Sequence, residues 1–73
     1  MKVMVSNMTE ARRLTEATNL CDCPIDAVTG SRSCDAKSLL GILSLDITNE
    51  IELVFHCDEK DKEKYENIVS DRY

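Results

Sequence analysis

Few of the residues that usually advertise a function are present in this chain. It holds one proline, two glycines, one histidine and no tryptophan, and its aromatic residues are Phe55, Tyr65 and Tyr73. So few aromatics leave Leu, Ile, Val, Met and Cys to fill the core. Gly30 and Gly41 stand apart, so there is no glycine-rich loop to cradle a phosphate. There is no Ser/His/Asp set, and no Cys/His pair with an orienting partner that the sequence can place. With no complete catalytic constellation, the chain is not expected to be an enzyme, and no cofactor is implied. No apolar run approaches the roughly 20 residues that span a bilayer. The opening Met1-Lys2-Val3-Met4-Val5 is too short for the core of a signal peptide. A cytoplasmic protein with no membrane partner is expected. Clustered basic charge is missing too: Arg12-Arg13 stand together, with Glu10 and Glu16 close by, and the net charge is −5. That balance excludes the Lys/Arg footprint of a nucleic-acid binder and suits solubility or a basic partner surface.

What is present is an ordinary globular composition, 42% apolar and 32% charged over 73 residues. This length makes one domain, residues 1–73, and a chain so small buries only about 60% of its unfolded surface. Four cysteines, Cys21, Cys23, Cys34 and Cys57, would suggest two disulfides in a secreted mini-protein. Without a targeting signal they are expected to be reduced and to serve as small apolar core residues. A metal reading uses the same cysteines with His56 as soft ligands, but Cys21-x-Cys23 lacks the two-residue spacer of a zinc knuckle.

Hydrophobic patterning sets out the elements. Residues 2–6 read as a strand with Val3 and Val5 on one face. Asn7-Met8-Thr9-Glu10 has the form of a capping box and opens a helix. On that helix Ala11, Leu14, Ala17, Thr18 and Cys21 share a stripe, Glu10, Arg12, Arg13 and Glu16 face away, and residues 19–22 close it. Residues 23–28 read as a strand with Pro24 at its start, Thr29-Gly30-Ser31 as a turn, and residues 32–35 as the return of a hairpin. Ser38 then caps a short helix over residues 39–45, where nearly every residue is Leu, Ile, Gly or Ser. After a turn at Thr48-Asn49, the clearest strand covers residues 50–57, with Ile51, Leu53 and Phe55 alternating with Glu52, Val54 and His56. Acids at Asp58, Glu59 and Asp61 suit the start of a last helix, whose inner stripe is Tyr65, Ile68, Val69 and Arg72. The order βαββαβα predicts an α+β open-faced sandwich: one four-stranded antiparallel sheet covered on one face by three helices.

Residues 35–46, Asp-Ala-Lys-Ser-Leu-Leu-Gly-Ile-Leu-Ser-Leu-Asp, carry a family likeness. They resemble the segment Asn-(Ala/Leu)-Lys-Ser-Ile-Met-Gly-(Val/Ile)-(Met/Leu)-Ser-Leu of the HPr phosphocarriers of the bacterial phosphotransferase system. Lys37, Ser38, Gly41, Ser44 and Leu45 match directly, and Leu39, Leu40, Ile42 and Leu43 match in character. The resemblance implies a regulatory serine at Ser38, phosphorylated by a dedicated kinase in some bacteria, and a partner-docking patch at Leu39, Leu40 and Leu43. It also implies a histidine at the start of the first helix, in a Gly-(Ile/Leu)-His-Ala-Arg-Pro-Ala setting. Counting back from Lys37-Ser38 puts Asn7-Met8-Thr9-Glu10-Ala11 there, and only Ala11 survives. A carboxamide has no lone pair basic enough to accept and return a phosphoryl group, and Thr9 replaces the arginine that would steady it.

The expectation is therefore an HPr-like regulatory or interaction module that has lost phosphohistidine transfer. It would meet a protein partner, or a second copy of itself, through the helix that follows Ser38. Two alternatives stand beside it: a phosphocarrier that uses a different residue, and a cysteine-based metal or redox protein. At the site itself Ser38 has a purely structural reading as a cap, and the leucines have one as core.

Overall fold

The elements run β1 (Lys2–Val3), α1 (Met8–Thr18), β2 (Ile25–Thr29), β3 (Arg32–Asp35), α2 (Leu39–Ser44), β4 (Ile51–Phe55) and α3 (Glu59–Arg72). This is a computed structural model that describes residues 1–45 and 50–73. The turn expected at Thr48-Asn49, and Asp46 and Ile47 of the apolar stretch, lie outside the described residues. The strands pair antiparallel in the order β1-β4-β2-β3. Alternation decides which face is covered. Ile25, Ala27 and Thr29 of β2 and Ile51, Leu53 and Phe55 of β4 are buried, while Asp26 and Val54, register partners across the two strands, are exposed. The helices close over the apolar face to form the expected α+β open-faced sandwich, with Leu14, Ala17, Tyr65 and Val69 reaching into the shared core.

Several boundaries differ from those expected, each for a physical reason. β1 stops at Val3 because its partner β4 begins at Ile51, which pairs with Val3 and leaves no strand residue for Met4. Val5 is nevertheless fully buried as the chain crosses to α1. α1 is capped as expected, with the Glu10 amide donating to Asn7 Oδ1 at 2.9 Å. The reciprocal arm is shifted by one residue: Glu10 Oε1 accepts from the Ser6 amide at 2.7 Å rather than from Asn7. At the other end the helix closes earlier than residue 22. The Asn19 side-chain amide donates to Thr15 O at 2.7 Å, and the Leu20 and Cys21 amides tighten onto Ala17 O and Thr18 O, both at 3.1 Å.

β2 starts at Ile25 because Pro24 has no N–H to give, although its carbonyl still accepts from the His56 amide at 2.9 Å. Gly30 takes φ +59° in the two-residue loop between Thr29 and Arg32, the first central position at which such hairpin turns favour glycine. In α3, Tyr65 and Val69 are buried and Ile68 is half-buried. Arg72, expected on the inner stripe, is exposed instead, because an unpaired guanidinium is costly to bury.

The expectation that all four cysteines are reduced also fails. Cys23 and Cys57 form a disulfide with Cα atoms 5.4 Å apart, and Cys21 and Cys34 are free. The two partners lie just beyond the ends of β2 and β4, where continuing the register of Ile25 opposite Phe55 sets Cys23 opposite Cys57.

The short helix α2 separates its apolar residues sharply. Ile42 is fully buried, Leu39 and Leu43 pack half-buried at the edge of the core, and Leu40 is 81% exposed. Ile42→Ala should therefore destabilise the fold by about 2–5 kcal/mol. Leu40→Ala should change stability by no more than about 0.5 kcal/mol. Urea unfolding of the two variants checks both.

Candidate functional site

The candidate site is the junction between the end of α1 and the start of α2. The Thr18 hydroxyl is buried and lies 2.8 Å from Ala36 O and 3.1 Å from Thr15 O. Asn19 Nδ2 donates to Lys37 O at 3.0 Å, and Lys37 Nζ donates to Cys21 O at 2.6 Å. The Lys37 amide donates to Asp35 Oδ1 at 2.9 Å. Ala36 and Lys37 are thus bound to the α1 terminus before α2 begins. Ser38 follows in extended conformation as the N-cap, its Oγ accepting from the Gly41 amide at 3.1 Å. At the far end Ser44 Oγ donates back to Gly41 O at 2.6 Å.

Gly41 is needed for close approach. A Cβ added there would meet Cys34 Cβ at 3.2 Å, Cys34 Sγ at 3.3 Å and Ser38 Cβ at 3.3 Å, so the missing side chain lets α2 lie down on β3. The arrangement presents a half-buried serine, with the exposed Leu40 two residues on and Leu39 and Leu43 at its base. Leu20, next to the Asn19 that holds the Lys37 carbonyl, is 50% exposed. The sequence reading overlooked Thr18, Asn19 and Leu20 as parts of this junction. An asparagine at a helix end was the available signal, since its side chain commonly satisfies backbone groups there.

The other singled-out residues scatter. Asn7 is exposed at the start of α1 with its Oδ1 engaged in the cap, and Thr9 beside it is exposed. His56 Nε2 meets Asp26 Oδ2 at 2.8 Å on the exposed side of the sheet. Cys21 lies buried with its sulfur 3.9 Å from both Ala17 O and Tyr65 O. Cys34 sits under Gly41, and Cys23 is joined to Cys57. Among the described residues no three or more His, Cys, Asp or Glu side chains gather as a metal site. Arg13, Glu16, Ala17, Leu20 and Arg72 line an open groove of about 290 Å³ between α1 and the end of α3. The Tyr73 hydroxyl donates to Met4 O, tying α3 to the segment after β1. No helix among the described residues is long and apolar enough to cross a membrane.

Burial pushes the Cys34 thiol above its ordinary value of 9.0, and the Asp35 and Asp26 carboxylates push the same way. Burial also raises the Cys21 thiol, against the opposing pull of Lys37 and with the help of Asp22.

A sheet of this order under three helices, with a serine-capped short helix held against its β3 edge, defines a phosphocarrier-type open-faced sandwich. The family model described as the PTS HPr component phosphorylation site matches residues 7–70. The chain belongs to the HPr family. HPr-C-His from Thermoanaerobacter tengcongensis superposes with a TM-score of 0.78 at 20% identity, covering 97% of this chain and 85% of its own. Crh, the catabolite repression containing protein of Bacillus subtilis, described as a domain-swapped dimer, superposes with a TM-score of 0.67 at 18% identity, covering 100% and 87%. At these identities the two structures speak for the fold. No curated protein sequence matches the chain.

The raised thiols have a pH consequence. A thiol harder to ionise in the folded chain than in the unfolded one stabilises the fold fully below its unfolded pKa, and that contribution is lost as pH rises through the folded value. The urea midpoint should therefore fall above pH 9.0, the ordinary thiol value, and Cys34→Ala should remove part of that fall.

Proposed function

We propose that this HPr-family chain no longer relays phosphate through a histidine and works as a regulatory or interaction module, docking a protein partner on the surface around Ser38, Leu39, Leu40 and Leu43. The single observation behind this reading is Asn7. By the ungapped count back from Lys37-Ser38 it falls where the family's motif has histidine, and its Oδ1 accepts from the Glu10 amide at 2.9 Å as a helix cap. An amide oxygen in that role cannot carry a phosphoryl group. The docking half is supported by Leu40, 81% exposed on a helix whose start is held by several hydrogen bonds. A rigid aliphatic projection of this kind suits an interface, and a second copy of the chain is a candidate occupant beside a different protein. Phosphorylation at Ser38 would add about two negative charges beside those leucines, which suits a switchable contact.

A second reading, a phosphocarrier that uses another residue, rests on His56. It is the chain's one histidine, and its imidazole is exposed and oriented by Asp26 at 2.8 Å. One assay separates the two. After incubation with phosphoenolpyruvate and the first enzyme of the phosphotransferase system, the chain should carry no acid-labile phosphoryl group. A phosphohistidine mapped to His56 would establish the second reading and end the first.

The docking surface has its own test. Leu40→Asp should abolish self-association in sedimentation, or binding to phosphotransferase-system proteins in calorimetry, while leaving the urea midpoint almost unchanged. If that variant unfolds the domain, or binds as the parent does, Leu40 is not part of an interface.

A further inference from the structure

Cys23 and Cys57 stand apart from the junction at Ser38 and are used by nothing described above. Their geometry follows from the sheet. β2 and β4 pair from Val28 opposite Glu52 to Ile25 opposite Phe55, and His56 N adds a last bond to Pro24 O at 2.9 Å. The cysteines lie immediately outside that bond, with Cα atoms 5.4 Å apart, within the distance a disulfide requires. Among the described residues, no backbone hydrogen bond outside the regular elements uses the amide or carbonyl of Cys23 or Cys57. Opening the bridge therefore costs the ladder nothing, and the two thiols can part with the sheet intact.

Access is unequal in a way that suits exchange. Cys23 is buried, whereas Cys57 is half-buried and follows the exposed His56. Of the two, Cys57 is therefore the cysteine at which a soluble thiolate would attack, and partly exposed disulfides are the labile ones. The remaining cysteines compete poorly: Cys21 is buried, and burial raises both its thiol and that of Cys34 above the usual range.

We propose that Cys23 and Cys57 form a reversible dithiol–disulfide site, exchanging with a small soluble thiol–disulfide couple of the glutathione class. In closing, the Cys57 thiolate attacks one sulfur of the soluble disulfide and expels one small thiolate, leaving a mixed disulfide on Cys57. The Cys23 thiolate then attacks the Cys57 sulfur and expels the second. The chain loses two electrons and two protons, and the soluble disulfide gains them as two thiols. Opening is the reverse, begun by a small thiolate at Cys57. The bridge also has a route to α2. Cys23 lies two residues after Cys21, whose carbonyl holds Lys37 Nζ at 2.6 Å beside the Ser38 cap. Closing it firms the segment from which α2 is suspended.

The test is equilibration of the full chain in buffers of graded reduced-to-oxidised glutathione ratio, followed by acid quenching, iodoacetamide trapping in guanidinium chloride so that buried thiols also react, and intact-mass measurement. Expected is a single step between four and two alkylated thiols inside the buffer range, with the bridged peptide mapping to Cys23 and Cys57. The closed form should melt higher by about 10 °C or more, because the bridge closes a loop spanning a sequence separation of 34. The Gly41 and Ile42 amides should exchange with deuterium more slowly in that form. A chain with four thiols at every ratio, a bridge that stays closed in the most reducing buffer, or a bridge to Cys21 or Cys34 each overturns the site. Equal exchange rates at Gly41 and Ile42 overturn its link to α2. The readout is made on the parent chain, so no variant has to fold, and none of it depends on whether the leucines dock a partner.

Discussion

One buried hydrogen bond sets the position of everything that follows the hairpin. Thr18 Oγ1 lies 2.8 Å from Ala36 O, and the Ala36 amide donates to Ile25 O at 2.9 Å. A single residue between β3 and α2 is thereby held from α1 on one side and from β2 on the other. Left without its partner, either buried group would cost about 1–3 kcal/mol. The next residue is held three more times, by Asn19, Cys21 and Asp35. By the time the chain reaches Ser38, the direction of the coming helix is determined. The cap then fixes its first turn, and the vacancy at Gly41 lets it settle against Cys34.

From that placement follows the division of the leucines. A six-residue helix with apolar side chains on every side cannot bury all of them against one sheet edge. Because its start is pinned and its underside meets Cys34, Ile42 goes inward and Leu40 outward. The exposed leucine is thus a consequence of the clamp and not of weak packing. A rigidly aimed apolar side chain loses little entropy when it is covered, which is what an interface residue needs.

The sequence carried the element order plainly, because β4 alternates strictly and α1 keeps one apolar stripe over three turns. Element ends were less legible: β1 stops where its distant partner β4 begins, and α1 closes early on bonds from Asn19, Leu20 and Cys21 back to its last turn. The site was legible in its parts. Ser38 as a cap and Gly41 inside a helix can be read locally, but which of Leu39, Leu40 and Leu43 faces water depends on the Thr18 clamp, and no local pattern encodes that. The Cys23–Cys57 bridge was the least legible of all. It requires knowing that β2 and β4 are neighbours and in what register, and a separation of 34 residues says neither.

Asn7 and Ser38 make an instructive contrast. Both cap helices in the fold, and asparagine is among the best residues at the position that Asn7 holds. The chemical demand at the α1 start can lapse while the structural demand is met. Ser38 meets both demands with one oxygen, which caps α2 now and would bear the phosphate if modified. Its retention alone is therefore silent about regulation, because the helix needs an acceptor there in either case. What does speak is its surroundings. Hydrogen bonds from the end of α1 converge on Ala36 and Lys37 just ahead of the cap, and Leu40, in the first turn of the helix that follows, is 81% exposed. Under the proposed reading, in which phosphorelay at the α1 start has lapsed, this junction is where the scaffold would still present a surface.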